Sequence, residues 1–179
     1  MSKDDFNVDI LSKKSIDRLI KKLESYKDGI EPNLHSAVEQ LAEGGAETAR
    51  SEVEGMQAVF TGELLESIYS QDVSETSDKI AFEIVADSDH AAFVEFGTGI
   101  IGKESPYTGE LPEGVQWDYA SGHTIHQLKD GRYGWFYPAD DGNWYFTQGM
   151  RSRPFMLNAA NAMRDGLEEA LLRTFRENH

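Results

Sequence analysis

Apolar residues recur three and four positions apart over residues 15–26, where Ile16, Leu19, Ile20, Leu23 and Tyr26 fall on one side of a short amphipathic helix. Ser15 is placed to cap its start, and Gly29 and Pro32 punctuate its end. A longer helix is predicted from about Asn33 to Gly55, with a stripe of Leu34, Val38, Leu41, Ala42, Ala46, Ala49 and Val53. Alanine dominates this stripe, so the helix is expected to lie close against its partner. Gly44 and Gly45 weaken it by on the order of 1 kcal/mol each relative to alanine. Either the chain bends there or a neighbour approaches closely. Residues 61–69 begin with a Thr61 cap and form a turn or two of helix leading into a strand. Alternation then takes over at 79–86, where Ile80, Phe82, Ile84 and Ala86 interleave with Lys79, Ala81, Glu83 and Val85. The polar stretch Ser74 to Asp78 reads as the hairpin turn between them.

Residues 89–96 suit a short helix capped by Asp89 and closed by Gly97. From Gly99 to Gly131 the composition shifts to Gly, Pro, Ser, Thr and isolated aromatics, which predicts a long loop. A second hairpin follows, with 134–138 and 143–147 as aromatic strands around Ala139-Asp140-Asp141-Gly142. Pro154 is placed as the first residue of a final helix to about residue 176. That helix carries Phe155, Ala159, Met163, Leu167, Leu171 and Phe175 at a spacing of four, widened by Met156, Ala160 and Ala170. The change from helical to twofold periodicity and back predicts an α+β fold. Its antiparallel sheet has about four strands near 68–74, 79–86, 133–138 and 143–148, packed against two long helices. The expected organisation is an N-terminal arm with a short helix over 1–30 and a single α+β domain over 31–179, with 100–131 as a loop insertion.

Charge narrows the functional classes. Against 17 Lys and Arg stand 32 Asp and Glu, a net charge of −15 over 179 residues. Proteins that read DNA gain affinity by neutralising phosphates, so this balance argues against such a role. It leaves open a protein past which DNA must slide without sticking, and equally a charge that only maintains solubility. Cysteine is absent, which removes disulfides, thiolate metal sites and cysteine nucleophiles. No apolar run approaches the roughly 18 residues of a membrane span, and the first residues lack the apolar core of a signal peptide.

Tests for catalytic or metal chemistry find little. His123-Thr124-Ile125-His126 has ligand-like spacing, but Gly122 and the loop composition give no helix to align the pair. A third ligand would have to come from Asp118 or His90. Asp140 and Asp141 are explained by turn preference beside Gly142. Ser67 has no partner base, and Gly97-Thr98-Gly99 matches neither a dinucleotide fingerprint nor a phosphate loop. No catalytic residue, metal ligand or cofactor is assigned, and the chain is read as non-enzymatic.

Three segments carry a resemblance: TGELLESI (Thr61 to Ile68), AAFVEFGTG (Ala91 to Gly99) and SRPFMLNA (Ser152 to Ala159). In this order, and with the helices around them, they resemble the neck proteins of tailed bacteriophages, a family of head–tail joining, tail-completion or minor capsid proteins. Family members usually carry a proline just before the Thr-Gly, where this chain has Ala58, Val59 and Phe60. The resemblance implies a small α+β subunit of a homo-oligomeric ring, a hexamer or dodecamer, in the connector of the virion, assembled in the host bacterial cytoplasm. Its partners would be other connector, tail-terminator or tail-tube proteins, and genomic DNA would pass through without specific binding. No membrane is involved. The motif residues are Thr61, Gly62, Leu64, Ser67, Ile68, Glu95, Phe96, Gly97, Thr98, Arg153, Pro154 and Phe155. Glu95 is expected either to receive Arg151 or Arg153 or to be a solvated acid. Tyr107, Trp117 and Tyr119, in the loop insertion, are candidate interface residues. Glu39, Glu43 and Glu47, at i,i+4 spacing, are candidates to face the DNA channel or an ordinary solvated face. Three readings stay beside this one: a tail-terminator or tail-completion ring, a small metal-dependent hydrolase using the 118–126 loop, and an acidic protein–protein adaptor.

Overall fold

The computed structural model describes residues 13–56, 61–74, 76, 79–111, 113–120, 122–139 and 141–177. One helix, α1 (Lys13–Gly55), covers the two helices expected from the sequence, with Pro32 inside it. Ser15 therefore lies within the helix and does not cap it. Proline removes one main-chain bond and crowds the carbonyl four residues earlier. Here Pro32 and Asp28 are both exposed, so the carbonyl that loses its bond can face water. The helix consequently continues where the Gly29 and Pro32 signals predicted a stop.

The carboxyl-terminal helix α5 (Phe155–Glu177) packs antiparallel along α1, and this pairing is the most extensive in the molecule. Asn158 Nδ2 donates to Glu52 Oε2 at 3.2 Å, and Arg173 Nη2 donates to Gln40 Oε1 at 2.6 Å, which fixes the register. Close approach follows from small residues, as the alanine-rich stripe predicts. Ala42, Ala46, Ala49 and Val53 are buried on α1, as are Phe155 and Ala159 on α5. Of the two glycines, Gly45 marks the close approach: a Cβ there would sit 2.5 Å from Ile84 Cδ1 and 2.7 Å from Met163 Sδ. Gly44 faces open space. Along α5 the expected line of apolar residues is only partly buried, and Leu167 is exposed. A spacing of four overshoots the 3.6-residue turn by about 40° per step, so such a line winds away from any one neighbour.

The helix α2 (Thr61–Glu66) begins at Thr61, and the Thr61 side chain lies outside what is described. It leads into β1 (Ile68–Asp72), which pairs antiparallel with β2 (Phe82–Ala86), from Ile68 opposite Ala86 to Asp72 opposite Phe82. Thr76 bridges Lys79 at the turn, while Glu75, Ser77 and Asp78 lie outside the described residues. The hairpin packs on α1, where Arg50 Nε and Nη2 both donate to the Ile68 carbonyl at 3.0 and 2.7 Å.

Two short helices follow, α3 (Ala91–Phe96) and α4 (Gly99–Glu104). His90, not Asp89, occupies the cap position of α3. Residues 99–104 are helical where a loop was expected. Then come β3 (His126–Gln127), β4 (Tyr133–Pro138), β5 (Trp144–Thr147) and β6 (Gly149–Met150). β4 and β5 form the second hairpin, with Trp135 opposite Thr147, and β3 joins its other edge. Its turn closes through the Gly142 amide on the Ala139 carbonyl at 2.9 Å. Asp140 lies outside the described residues.

The architecture is mixed helix and antiparallel sheet, broadly α+β, but the expected four-strand sheet is two sheets, β1-β2 and β3-β4-β5. Twofold periodicity identifies each hairpin without specifying which strands share an edge. The segment through α3 and α4 separates them: β1-β2 rests on α1, and β4 on α4. Pro154 sits one position before the first residue of α5, and its carbonyl accepts the Asn158 amide at 3.0 Å.

Candidate assembly site

Apolar residues from all three motif segments meet in one core. Leu64 and Ile68 from the first, Val94 from the second, and Phe155 and Ala159 from the third pack with Ala46, Ala49 and Val53 of α1. Each motif residue so placed is at most 3% exposed. Gly62 is exposed within α2. The Ser67 hydroxyl donates to the Leu64 carbonyl at 2.8 Å, and the Ser67 carbonyl accepts the Asp87 amide at 3.1 Å, a turn-forming role.

The second and third segments are joined through Glu95. Its carboxylate is buried, 6% exposed, and lies at the start of α5. Met156 N–H donates to Oε2 at 2.9 Å and Leu157 N–H to Oε1 at 3.1 Å. Both amides belong to the first turn of α5, whose N–H groups have no partner within the helix and whose dipole favours an anion. Glu95 thus caps a helix that begins sixty residues later in the chain. Burial pushes its carboxyl above the ordinary range, and the amides of Met156 and Leu157 and the Tyr107 hydroxyl work in the opposite direction. The ligands of Glu95 are therefore amides and a phenol, where Arg151 or Arg153 had been considered. Arg153 engages through its backbone amide, which donates to the Val94 carbonyl at 2.9 Å. The Ser152 hydroxyl donates to the Glu95 carbonyl at 2.6 Å. Arg151 is exposed.

Gly97 closes α3 at φ 83°, its amide donating to the Phe93 carbonyl, as the sequence suggests. A Cβ at this position would lie 2.6 Å from the Ser152 nitrogen. Thr98 is buried, and its Oγ1 accepts the Met150 amide at 3.3 Å. Thr98 and Gly99 bridge antiparallel to Met150 and Gly149, so β6 lies alongside the end of the second motif.

Tyr107, Trp117 and Tyr119 gather beside this junction. The Trp117 indole N–H donates to the Gly97 carbonyl at 2.8 Å, and its ring lies 5.1 Å from that of Phe96. Phe96 meets Tyr107 edge-on at 5.0 Å, and the Tyr107 amide donates to the Tyr119 hydroxyl at 3.1 Å. The three aromatic residues of the insertion are half-buried against their own chain. Burial and the charge of Glu95 together hold the Tyr107 phenol above its usual range.

The 118–126 loop is occupied by turn and ring contacts. Asp118 Oδ1 accepts the Ala120 amide at 2.9 Å, His123 stacks near Trp135, and His126 meets Phe136 edge-on. Among the described residues no group of three or more His, Asp or Glu is placed to hold a metal, and no helix is long and apolar enough to cross a membrane. Glu39, Glu43 and Glu47 are exposed on α1.

Sequence reading missed both the capping role of Glu95 and a set of exposed apolar side chains. Ile16, Ile20 and Leu23 are exposed on the first half of α1, and Tyr133, Phe136, Trp144 and Tyr145 on the second hairpin. Three-and-four spacing marks a helix over 15–26 without saying whether its apolar side is covered.

Comparison with known proteins gives one family. The family HK97-gp10_like, described as "Bacteriophage HK97-gp10, putative tail-component", matches residues 17–97. The matched stretch holds the first motif and nearly all of the second, and bears out the resemblance to phage neck and tail-completion proteins. No curated protein and no solved structure matches the chain.

Proposed function

From the premise that residues 17–97 carry the pattern of a phage tail-related structural component, we propose that this chain is a subunit of the connector ring joining capsid to tail. The family match is the observation that carries the reading. The structure is compatible with it: Glu95 is engaged in a helix cap and Ser67 and Asp118 in turns, and the exposed apolar side chains suit association with neighbours. Copies of the chain form a closed ring, a hexamer or dodecamer, in contact with other connector or tail proteins of the virion. Placement in a tail-terminator or tail-completion ring is the nearest alternative, and the same match supports it equally.

In such a ring the wall facing DNA is acidic or neutral, because basic side chains would form counterion-releasing contacts and hold the genome. Glu39, Glu43 and Glu47 are the candidates for that wall. Changing all three to lysine is expected to slow genome ejection in a salt-dependent way while the particle stays intact. Unchanged ejection at low and high salt would remove these residues from the channel. The function itself is tested by suppressing the gene during phage growth. Filled heads and separate tails, rejoined by adding the purified protein, are expected; normal particles lacking the protein would overturn the proposal.

A further inference from the structure

The three-stranded sheet ends on an open edge. Its order is β3-β4-β5, so β5 has β4 on one side and no strand on the other among the described residues. The Ala139 amide donates to the Asn143 carbonyl at 2.9 Å. Antiparallel pairs alternate between bonded and non-bonded, so Tyr137 with Tyr145 and Trp135 with Thr147 are the next bonded pairs along the hairpin. Trp144 and Phe146 therefore turn their N–H and C=O groups away from β4. Nothing blunts this edge. Trp144, Tyr145, Phe146 and Thr147 include no charge, proline or glycine, and Trp144 and Tyr145 are 67% and 45% exposed. Such an edge is a template for one more strand. The opposite edge, β3, offers only His126 and Gln127.

A strand of fitting length is written at the start of the chain. Residues 1–12 lie outside the described residues, but their sequence carries a pattern: Phe6, Val8 and Ile10 alternate with Asn7 and Asp9. Twofold alternation of this kind specifies a strand with one apolar side. None of the five is proline, so each brings a main-chain donor and an acceptor. The β5 edge of the same copy is out of reach. Met150 packs against the core cluster to which α1 contributes Ala46, Ala49 and Val53. Along α1 from Lys13 to Ala46 the distance is about 50 Å at 1.5 Å per residue. Fully extended, the chain from Met150 to Trp144 spans at most about 21 Å, and that from Ile10 to Lys13 at most about 11 Å. Together these spans fall short of the separation.

We infer that residues 6–10 of one copy add as a strand to the β5 edge of the next copy. Main-chain hydrogen bonds to Trp144 and Phe146 hold the added strand, and its alternate side chains lie against the aromatic rings of the hairpin. Donor and edge are different surfaces, so the contact is heterologous and propagates from copy to copy until a ring closes. The joint rests on the ring reading for its place in a closed assembly. It needs only self-association of the purified chain, so it can fail while the connector role stands, and the reverse also holds.

The test is the mass of the full-length chain in solution, by light scattering, with one variant on each side of the joint. Wild type is expected to associate. Asn7→Pro/Val8→Pro removes neighbouring N–H groups, one of which must face the edge whichever way the strand lies. Trp144→Pro removes an N–H that points away from β4 and so leaves the hairpin its own bonds. Each is expected to weaken association by about tenfold or more. Trp144→Lys, which keeps the N–H and sets a charge on the edge, is expected to act in the same direction, and circular dichroism verifies that the variants are folded. Mixing the two proline variants is the decisive step. Only the donor of the Trp144→Pro copy and the edge of the Asn7→Pro/Val8→Pro copy are then intact, so the mixture should form pairs and stop there. A monomeric wild type, undiminished association of the donor variant or of both folded edge variants, or a mixture that stays monomeric or grows beyond pairs would each overturn the inference.

Discussion

Replacing Glu95 by alanine removes the one carboxylate that holds the start of α5. Met156 N–H, Leu157 N–H and the Tyr107 hydroxyl lose their acceptor together. Loss of a helix cap costs about 1 kcal/mol, and a buried donor left without a partner costs about 1–3 kcal/mol. Relief of the burial penalty on the carboxylate offsets part of this, since desolvation is the largest influence on Glu95. The net expectation for Glu95→Ala is a loss of about 2–4 kcal/mol, a fall of roughly 5–12 °C in Tm for a chain of this size. Glu95→Gln keeps the shape and one acceptor but aims its amide nitrogen at a backbone N–H, and should cost about 1–2 kcal/mol. Urea unfolding at neutral pH, followed by circular dichroism, measures both. The pH dependence has a definite sign. A carboxyl raised in the folded state binds more protons folded than unfolded, so its contribution to stability falls as pH rises from the ordinary carboxyl value through the raised one. The stability advantage of wild type over Glu95→Gln should therefore narrow as pH rises across that interval and level off above it. An alanine variant within 0.5 kcal/mol of wild type (roughly the spread of neutral surface changes), or an advantage that widens with pH, would refute the capping account.

Three further outcomes are expected. Gly97→Ala should destabilise the fold by about 1–3 kcal/mol or more, since its φ of 83° is strained for alanine and the new Cβ would meet the Ser152 nitrogen; chemical denaturation checks this. Gly44→Ala should stabilise by about 0.5–1 kcal/mol through helix propensity, while Gly45→Ala gains less or loses because its Cβ meets Ile84 and Met163; paired thermal melts read the contrast. Asp72, held down to about 2 by the Ser74 hydroxyl and amide and by His35, contributes stability above its ordinary value that is lost as pH falls through about 2; acid titration of wild type against Asp72→Asn shows the difference.

Much of this fold can be read from periodicity. The stripe from Leu34 to Val53, the alternation before Ala86 and the aromatic hairpin each correspond to an observed element. The errors share a cause. Proline and glycine signals are local, and Pro32 was outweighed by helix on both sides. Strand partners, likewise, are settled by what lies between the hairpins. The candidate site was legible as three strings but not as a mechanism of folding. Glu95 lies next to Val94 in sequence, yet the amides that bind it are some sixty positions away, and nothing local distinguishes a capping acid from a solvated one. Gly97, by contrast, was legible because helix closure is a local matter. The stripe at 15–26 is a further case: its spacing specifies a helix but not whether the apolar side is covered, and Ile16, Ile20 and Leu23 are exposed.

Imaging of the intact virion at the head–tail junction tests the central claim most directly. With the chain tagged at an exposed turn position such as Lys129, the account predicts tag density as a closed ring at the neck or the adjoining end of the tail, coaxial with the DNA path. Tag density on the capsid shell or at the tail tip, or its absence from the particle, would contradict it.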